Sequence, residues 1–113
     1  VVEQKLKRKN ETVFVTMSFS DKMKKARKQI SEAIQECGFI PVLIDIKEHN
    51  NQIVPEIYKE IESCTFVIAD LSGQRGGVYY EAGYAVGKDK QVILTCKKDE
   101  ADSGDNIVIE IFD

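Results

Sequence analysis

Tryptophan is absent from this 113-residue chain, histidine occurs once, and proline and methionine occur twice each. The single histidine, His49, excludes metal motifs built on two histidines. Neither the G-x-S-x-G elbow nor the phosphate-loop pattern G-x-x-x-x-G-K-[ST] is present. No apolar run approaches the roughly 18 to 20 residues that cross a bilayer, and the first residues carry no signal-peptide pattern. A cytoplasmic protein with no membrane partner is therefore expected. An excess of positive charge is missing as well: 16 Lys and Arg stand against 19 Asp and Glu, for a net charge of −3 and a pI near 5.2. Polymeric nucleic acid is then not an expected partner. Cys37, Cys64 and Cys96 are odd in number, far apart and beside apolar stretches. That pattern suits buried thiols in a reducing compartment better than disulfides or a metal cluster.

What is present is an ordinary globular composition, 42% hydrophobic and 31% charged, at a length that closes around one core. Residues 1–11 are polar and basic, with Lys5, Lys7, Arg8 and Lys9 close together, and read as a solvated arm or linker. Residues 12–113 read as a single α/β domain. TVFVTM at 12–17 is a buried strand, with Asp21 placed to cap the next helix. In that helix Met23, Ala26, Ile30, Ala33, Ile34 and Cys37 recur at helical steps until Gly38. FIPVLIDI at 39–46 is a second strand whose Pro41 suits an edge. Ile53, Ile57, Tyr58 and Ile61 mark a second helix with Pro55 in its first turn. TFVIADL at 65–71 is a strand covered on both faces. A third helix carries Val78, Ala82, Ala85 and Val86 inward and ends at Gly87. QVILTC at 91–96 and IVIEIF at 107–112 complete five strands. Alternating strands and helices predict a doubly wound, five-stranded parallel sheet in the flavodoxin-like order 2-1-3-4-5, with helices on both faces. Ligands of such sheets sit beyond the carboxyl ends of the strands, where the winding reverses between strands 1 and 3.

That rule selects Ser18, Phe19 and Ser20 after the first strand and residues 70–81 after the third. The second stretch holds Asp70, Ser72, Arg75, Gly76, Gly77, Tyr79, Tyr80 and Glu81. With a helix start near Gly77, Glu81 lies about one turn in, where the positive end of the dipole favours the ionised carboxylate. Glutamate near a helix start is often only a cap. The reciprocal capping box, however, needs Ser or Thr three residues earlier, and position 78 is Val. Gly76 and Gly77 free backbone amides to approach a phosphate or ribose, or serve only as turn residues. Arg75 suits a phosphate or a neighbouring acid. Asp45, at the end of the second strand, and His49, in the loop after it, are candidates to touch a ligand from above the cleft, and both also read as plain loop residues.

VFVTMSFS at the first strand, the Asp-ending third strand and GGVYYEAGYAVGKDKQVIL together resemble the nucleoside 2-deoxyribosyltransferase and deoxynucleotide N-hydrolase superfamily, including its TIR-like bacterial branch. The resemblance covers about residues 12 to 96. Its most specific element is Gly-x-x-Tyr-Glu-x-Gly, with Asp70 eleven residues before Glu81. What it implies is cleavage of the bond between a base and a (deoxy)ribose in a nucleoside, a nucleotide or NAD. Glu81 matches the family's nucleophile, Asp70 its strand-ending acid, and Ser18 to Ser20 its sugar- or phosphate-binding loop. Asp70 would orient a sugar hydroxyl or assist proton transfer, and Tyr79 or Tyr80 would hold Glu81 by a hydrogen bond. No cofactor and no metal is called for, and a homodimer is one assembly the resemblance leaves open. Ile57 stands where the family carries a further aspartate, so that Glu56 or Glu60 would have to substitute. A non-catalytic nucleotide-sensing domain is the alternative reading.

Overall fold

A computed structural model describes residues 11–45, 55–73, 75–97 and 107–112, the last as backbone. The elements run β1 (Thr12–Thr16), a 3-10 turn (Asp21–Met23), α1 (Lys24–Glu36), β2 (Ile40–Leu43), α2 (Pro55–Ser63), β3 (Phe66–Asp70), α3 (Gly76–Gly87), β4 (Val92–Lys97) and β5 (Ile107–Phe112). Neither the 3-10 turn nor α1 receives a side-chain cap, so Asp21 does not play the expected part. Helix α1 closes as expected. Cys37 N donates to Ala33 O at 3.2 Å, Gly38 N to Gln35 O at 3.0 Å, and Gly38 takes φ 87, a left-handed exit that glycine makes without Cβ strain.

The sheet order is β2-β1-β3-β4-β5. Strand β2 is an edge, and its Pro41 sits in register with Val13, where the missing amide donor need not interrupt an inner ladder. One expectation is corrected. The parallel part of the sheet has four strands, in the order β2-β1-β3-β4, not five, because β5 returns antiparallel to β4. A parallel crossover needs about a dozen or more residues, usually a helix, and the segment 98–106 between β4 and β5 is too short for one.

Strand alternation divides the apolar residues between two layers. Val13, Val15 and Met17 point to the α1 side and pack with Met23 and Ile34, with Phe66 and Ile68 at the margin. Phe14, Val67, Ala69 and Val92 point the other way and pack under Ile57 and Ile61 of α2 and Val78, Ala82 and Ala85 of α3. The helices thus cover both faces. On the α1 side, a groove of about 320 Å³ remains between Ile30, Ile34 and Phe39 and the strand residues Phe66, Ile68, Ile93 and Thr95.

The three cysteines form no disulfide, but only Cys64 is fully buried. It donates to Ile61 O at 3.0 Å, and burial pushes its thiol pKa up. Cys37 is exposed and Cys96 half-buried, against the expectation of three buried thiols; Cys37 sits just past the end of α1, on the wall of the open groove, which leaves it uncovered. Among the described residues, no helix is long and apolar enough to cross a membrane.

Candidate active site

The carboxyl ends of β1 and β3 carry the two segments that the sheet topology selects. After β1, Ser18 is buried and its Oγ accepts the Ser20 amide at 3.2 Å. Arg27, one turn into α1, donates through Nη1 to Ser18 O at 3.1 Å and to Ser20 O at 3.0 Å. Its guanidinium also lies 5.0 Å from the centre of the Phe19 ring, within cation–π range. Arg27 therefore sets the shape of the Ser18-Phe19-Ser20 loop. Nothing in the sequence marks it out, because a charged residue on the polar side of an amphipathic helix looks like ordinary solvation.

At the end of β3, Asp70 is fully buried and engaged on both oxygens. Oδ1 accepts the Ser72 amide at 3.0 Å, and Oδ2 accepts the Thr95 hydroxyl at 2.5 Å. Ser72 is buried in turn, and its Oγ accepts the Lys97 amide at 2.9 Å. These bonds tie the turn after β3 to the end of β4. Thr95 is a site residue that sequence reasoning missed; the available signal was its register, since Thr95 pairs with Asp70 across the parallel ladder.

Helix α3 starts at Gly76, close to the expected position, behind an extended Arg75 that supplies no side-chain cap. Arg75 O accepts the Val78 and Tyr79 amides at 3.0 and 3.4 Å. Arg75 and Gly76 are exposed, and Gly77 is half-buried. Glu81 consequently falls in the second turn, beyond the stretch where the dipole acts strongly. It is 1% exposed, among the Val78, Ala82 and Ala85 side of the helix. Burial raises the pKa of its carboxyl, and the Thr16 hydroxyl offsets this only in part. The expected stabilisation of the ionised form by the dipole is thus corrected: desolvation decides the sign. Thr16 Oγ1 and Glu81 Oε2 are buried, and neither makes a well-formed hydrogen bond among the described residues, so the two groups are close enough to interact without being joined by one.

Tyr79 and Tyr80 do not hold Glu81. Both are exposed, and the Tyr80 hydroxyl instead meets that of Tyr58 at 3.4 Å. The Tyr58 ring packs 4.5 Å from the Tyr84 ring, and the Tyr84 hydroxyl donates to Glu62. That bond pushes the Tyr84 pKa up to about 12, and the contact with Tyr80 raises that of Tyr58. The reason is helical phase: one residue before a buried position turns about 100° away from it.

Asp70 and Glu81 stand on opposite sides of the sheet. Asp70 follows Phe66 and Ile68 onto the α1 face, in register with Thr95 on the groove wall, while Glu81 hangs from a helix packed on the other face. Asp45, half-buried, closes the described part of the segment after β2, and His49 lies outside the described residues. No group of three or more His, Cys, Asp or Glu side chains suited to a metal ion occurs among the described residues.

The family model for nucleoside 2-deoxyribosyltransferase matches residues 15–110, from within β1 to within β5. The chain belongs to this family. No curated protein matches it. The nucleoside 2-deoxyribosyltransferase match takes in the loop pinned by Arg27, the Asp70 turn and all of α3 with Glu81. It brings with it glycosyl transfer on nucleoside substrates as the family's chemistry.

Proposed function

We propose that the protein cleaves or transfers the N-glycosidic bond of a nucleoside, nucleotide or NAD, with Glu81 as the nucleophile. The observation that carries this reading is the family match, which takes in Glu81, the one charged side chain of α3; Glu81 is turned inward at 1% exposure and not open at the rim of the sheet, and one of its oxygens lacks a partner among the described residues. A glutamate kept only for helix structure would cost less on the solvent side, because an unsatisfied buried polar group costs about 1–3 kcal/mol. In the reaction, a Glu81 oxygen attacks the anomeric carbon as the C–N bond breaks. The base leaves with the bonding electrons and takes up a proton. Water or a second base then attacks the glycosyl ester and restores the carboxylate. A raised pKa makes Glu81 a more basic nucleophile once ionised, and it confines full activity to pH values above the ordinary carboxylate range.

In this reading Asp70 acts through the turn it holds. With one oxygen on the Ser72 amide and the other on Thr95, it fixes the approach to Gly76 and Gly77, whose open amides suit a phosphate or ribose. The Ser18-Phe19-Ser20 loop supplies the opposite wall, with Arg27 as a positive charge behind it. Arg75, Asp45 and His49 are the remaining candidates for contact with a phosphate or base. The protein acts without a cofactor, on a small-molecule substrate.

Chromatography of a nucleoside, nucleotide and NAD panel incubated with the protein tests the proposal: wild type releases free base from at least one compound, and Glu81→Gln does not. A second reading, a nucleotide-sensing domain, draws on Ile57, which fills the core at 0% exposure where the resemblance puts an aspartate. Saturable binding with no base release from any compound would favour that reading.

A further inference from the structure

We propose that Thr16 is a positioning residue for Glu81, its hydroxyl donating to the carboxylate once that carboxylate is ionised. The inference rests on Glu81 being the nucleophile and adds the group that orients it. Along β1 the neighbours of Thr16 are Val13, Phe14, Val15 and Met17, all buried and apolar. Alternation turns Thr16 with Phe14 toward the α3 face, where Glu81 hangs. A valine would fill the same volume there without burying a hydroxyl, so the hydroxyl is an added cost unless it meets something polar.

Thr16 Oγ1 and Glu81 Oε2 are the two buried side-chain atoms without partners among the described residues, and the Thr16 hydroxyl acts on the Glu81 carboxyl in the direction of a donor. An ionised carboxylate is acceptor-only, and a hydroxyl can turn its proton toward it. The other titratable groups on the packed elements are spent elsewhere. Asp70 of β3 faces the opposite side with Thr95. Tyr58 and Glu62 of α2 are engaged by Tyr80 and Tyr84. Cys64 lies just before β3 among Glu60 and Lys90, at the far end of the strand from Asp70. Only burial and Thr16 shift Glu81. A lone fixed donor then holds one carboxylate oxygen and leaves the other to attack.

The test compares Thr16→Val, Thr16→Ala and Thr16→Ser with wild type by two readouts. In base release, Thr16→Val and Thr16→Ala lower kcat by about 10-fold or more with KM nearly unchanged, as expected when the nucleophile is misaligned and substrate binding is untouched. They also move the acidic limb of the kcat/KM profile to higher pH, and Thr16→Ser restores both. Superimposable profiles, or a Thr16→Ser variant as impaired as Thr16→Val, overturn the proposal. The second readout is free of activity: carbon-13 NMR titration of the Glu81 carboxyl, whose midpoint rises by about half a pH unit or more in Thr16→Val. If wild type releases no base, the nucleophile assignment falls by itself. An unmoved NMR midpoint sinks the role of Thr16 whatever the activity.

Discussion

Glu81 joins stability and function in one side chain. Because burial raises its pKa, the folded protein holds the Glu81 proton in a pH range where the unfolded chain has already released it. The stabilisation from that proton is complete below the unfolded value of about 4.3 and is lost as pH rises through the folded value. Glu81→Gln removes the titration. We expect the variant to gain stability relative to wild type as pH rises from ~4 toward neutral. Urea midpoints across that range check it, and a difference independent of pH would contradict the burial of an ionisable group. The residue was legible in the sequence as a lone acid in an apolar helix beside paired glycines. Its place on the inward face follows from helical spacing, since Glu81 lies three residues after Val78 and four before Ala85, but a carboxylate is a side chain that pattern reading assigns to solvent. Tyr79 and Tyr80 are neighbours of Glu81 in sequence only: at about 100° per residue they turn off its face and look to solvent.

At the scale of the element, α3 is unusual in its glycines. Gly83 lies inside the helix, exposed, and a Cβ there would meet nothing within 4 Å. Its backbone does not lie in the left-handed region, in contrast to Gly73 at φ 82. An alanine would therefore fit without strain and would lose less backbone entropy on folding. Gly83→Ala should stabilise the protein by about 0.5–1 kcal/mol, read as a higher thermal midpoint with base release unchanged. A lower midpoint would mean that something packs against Gly83. Element types were legible from end to end, since each rests on periodicity, on Pro55 at a helix start and on Gly38 at a helix stop. The direction of β5 was not. IVIEIF reads as a strand either way, and only the shortness of 98–106 argues against a parallel crossover. Thr95 and Arg27 escaped notice because their partners, Asp70 and the Ser18-Phe19-Ser20 loop, come close only after the strands pair and α1 packs.

For the whole molecule, the decisive fact is that one sheet separates two apolar cores with no residue in common. Ile34 belongs to the α1 core; Ile57 and Ile61 share the other. Side chains on opposite faces of a sheet share no partners, and changes at sites without shared partners add within about 0.3–0.5 kcal/mol. Ile57 and Ile61 lie one helical turn apart on the same face of α2 and press on the same neighbours. Each Ile→Val change should cost about 0.5–1.5 kcal/mol. The pair Ile34→Val with Ile61→Val should be additive, and the pair Ile57→Val with Ile61→Val should depart from additivity by about 0.5 kcal/mol or more. Equilibrium denaturation of the three single and two double variants measures both couplings. If the cross-sheet pair couples as strongly as the pair on α2, the layers do not act as separate cores. Glu81 and Asp70, held from opposite sides, would then not be mechanically independent, and a change at the Asp70 turn would reach Glu81 through the sheet.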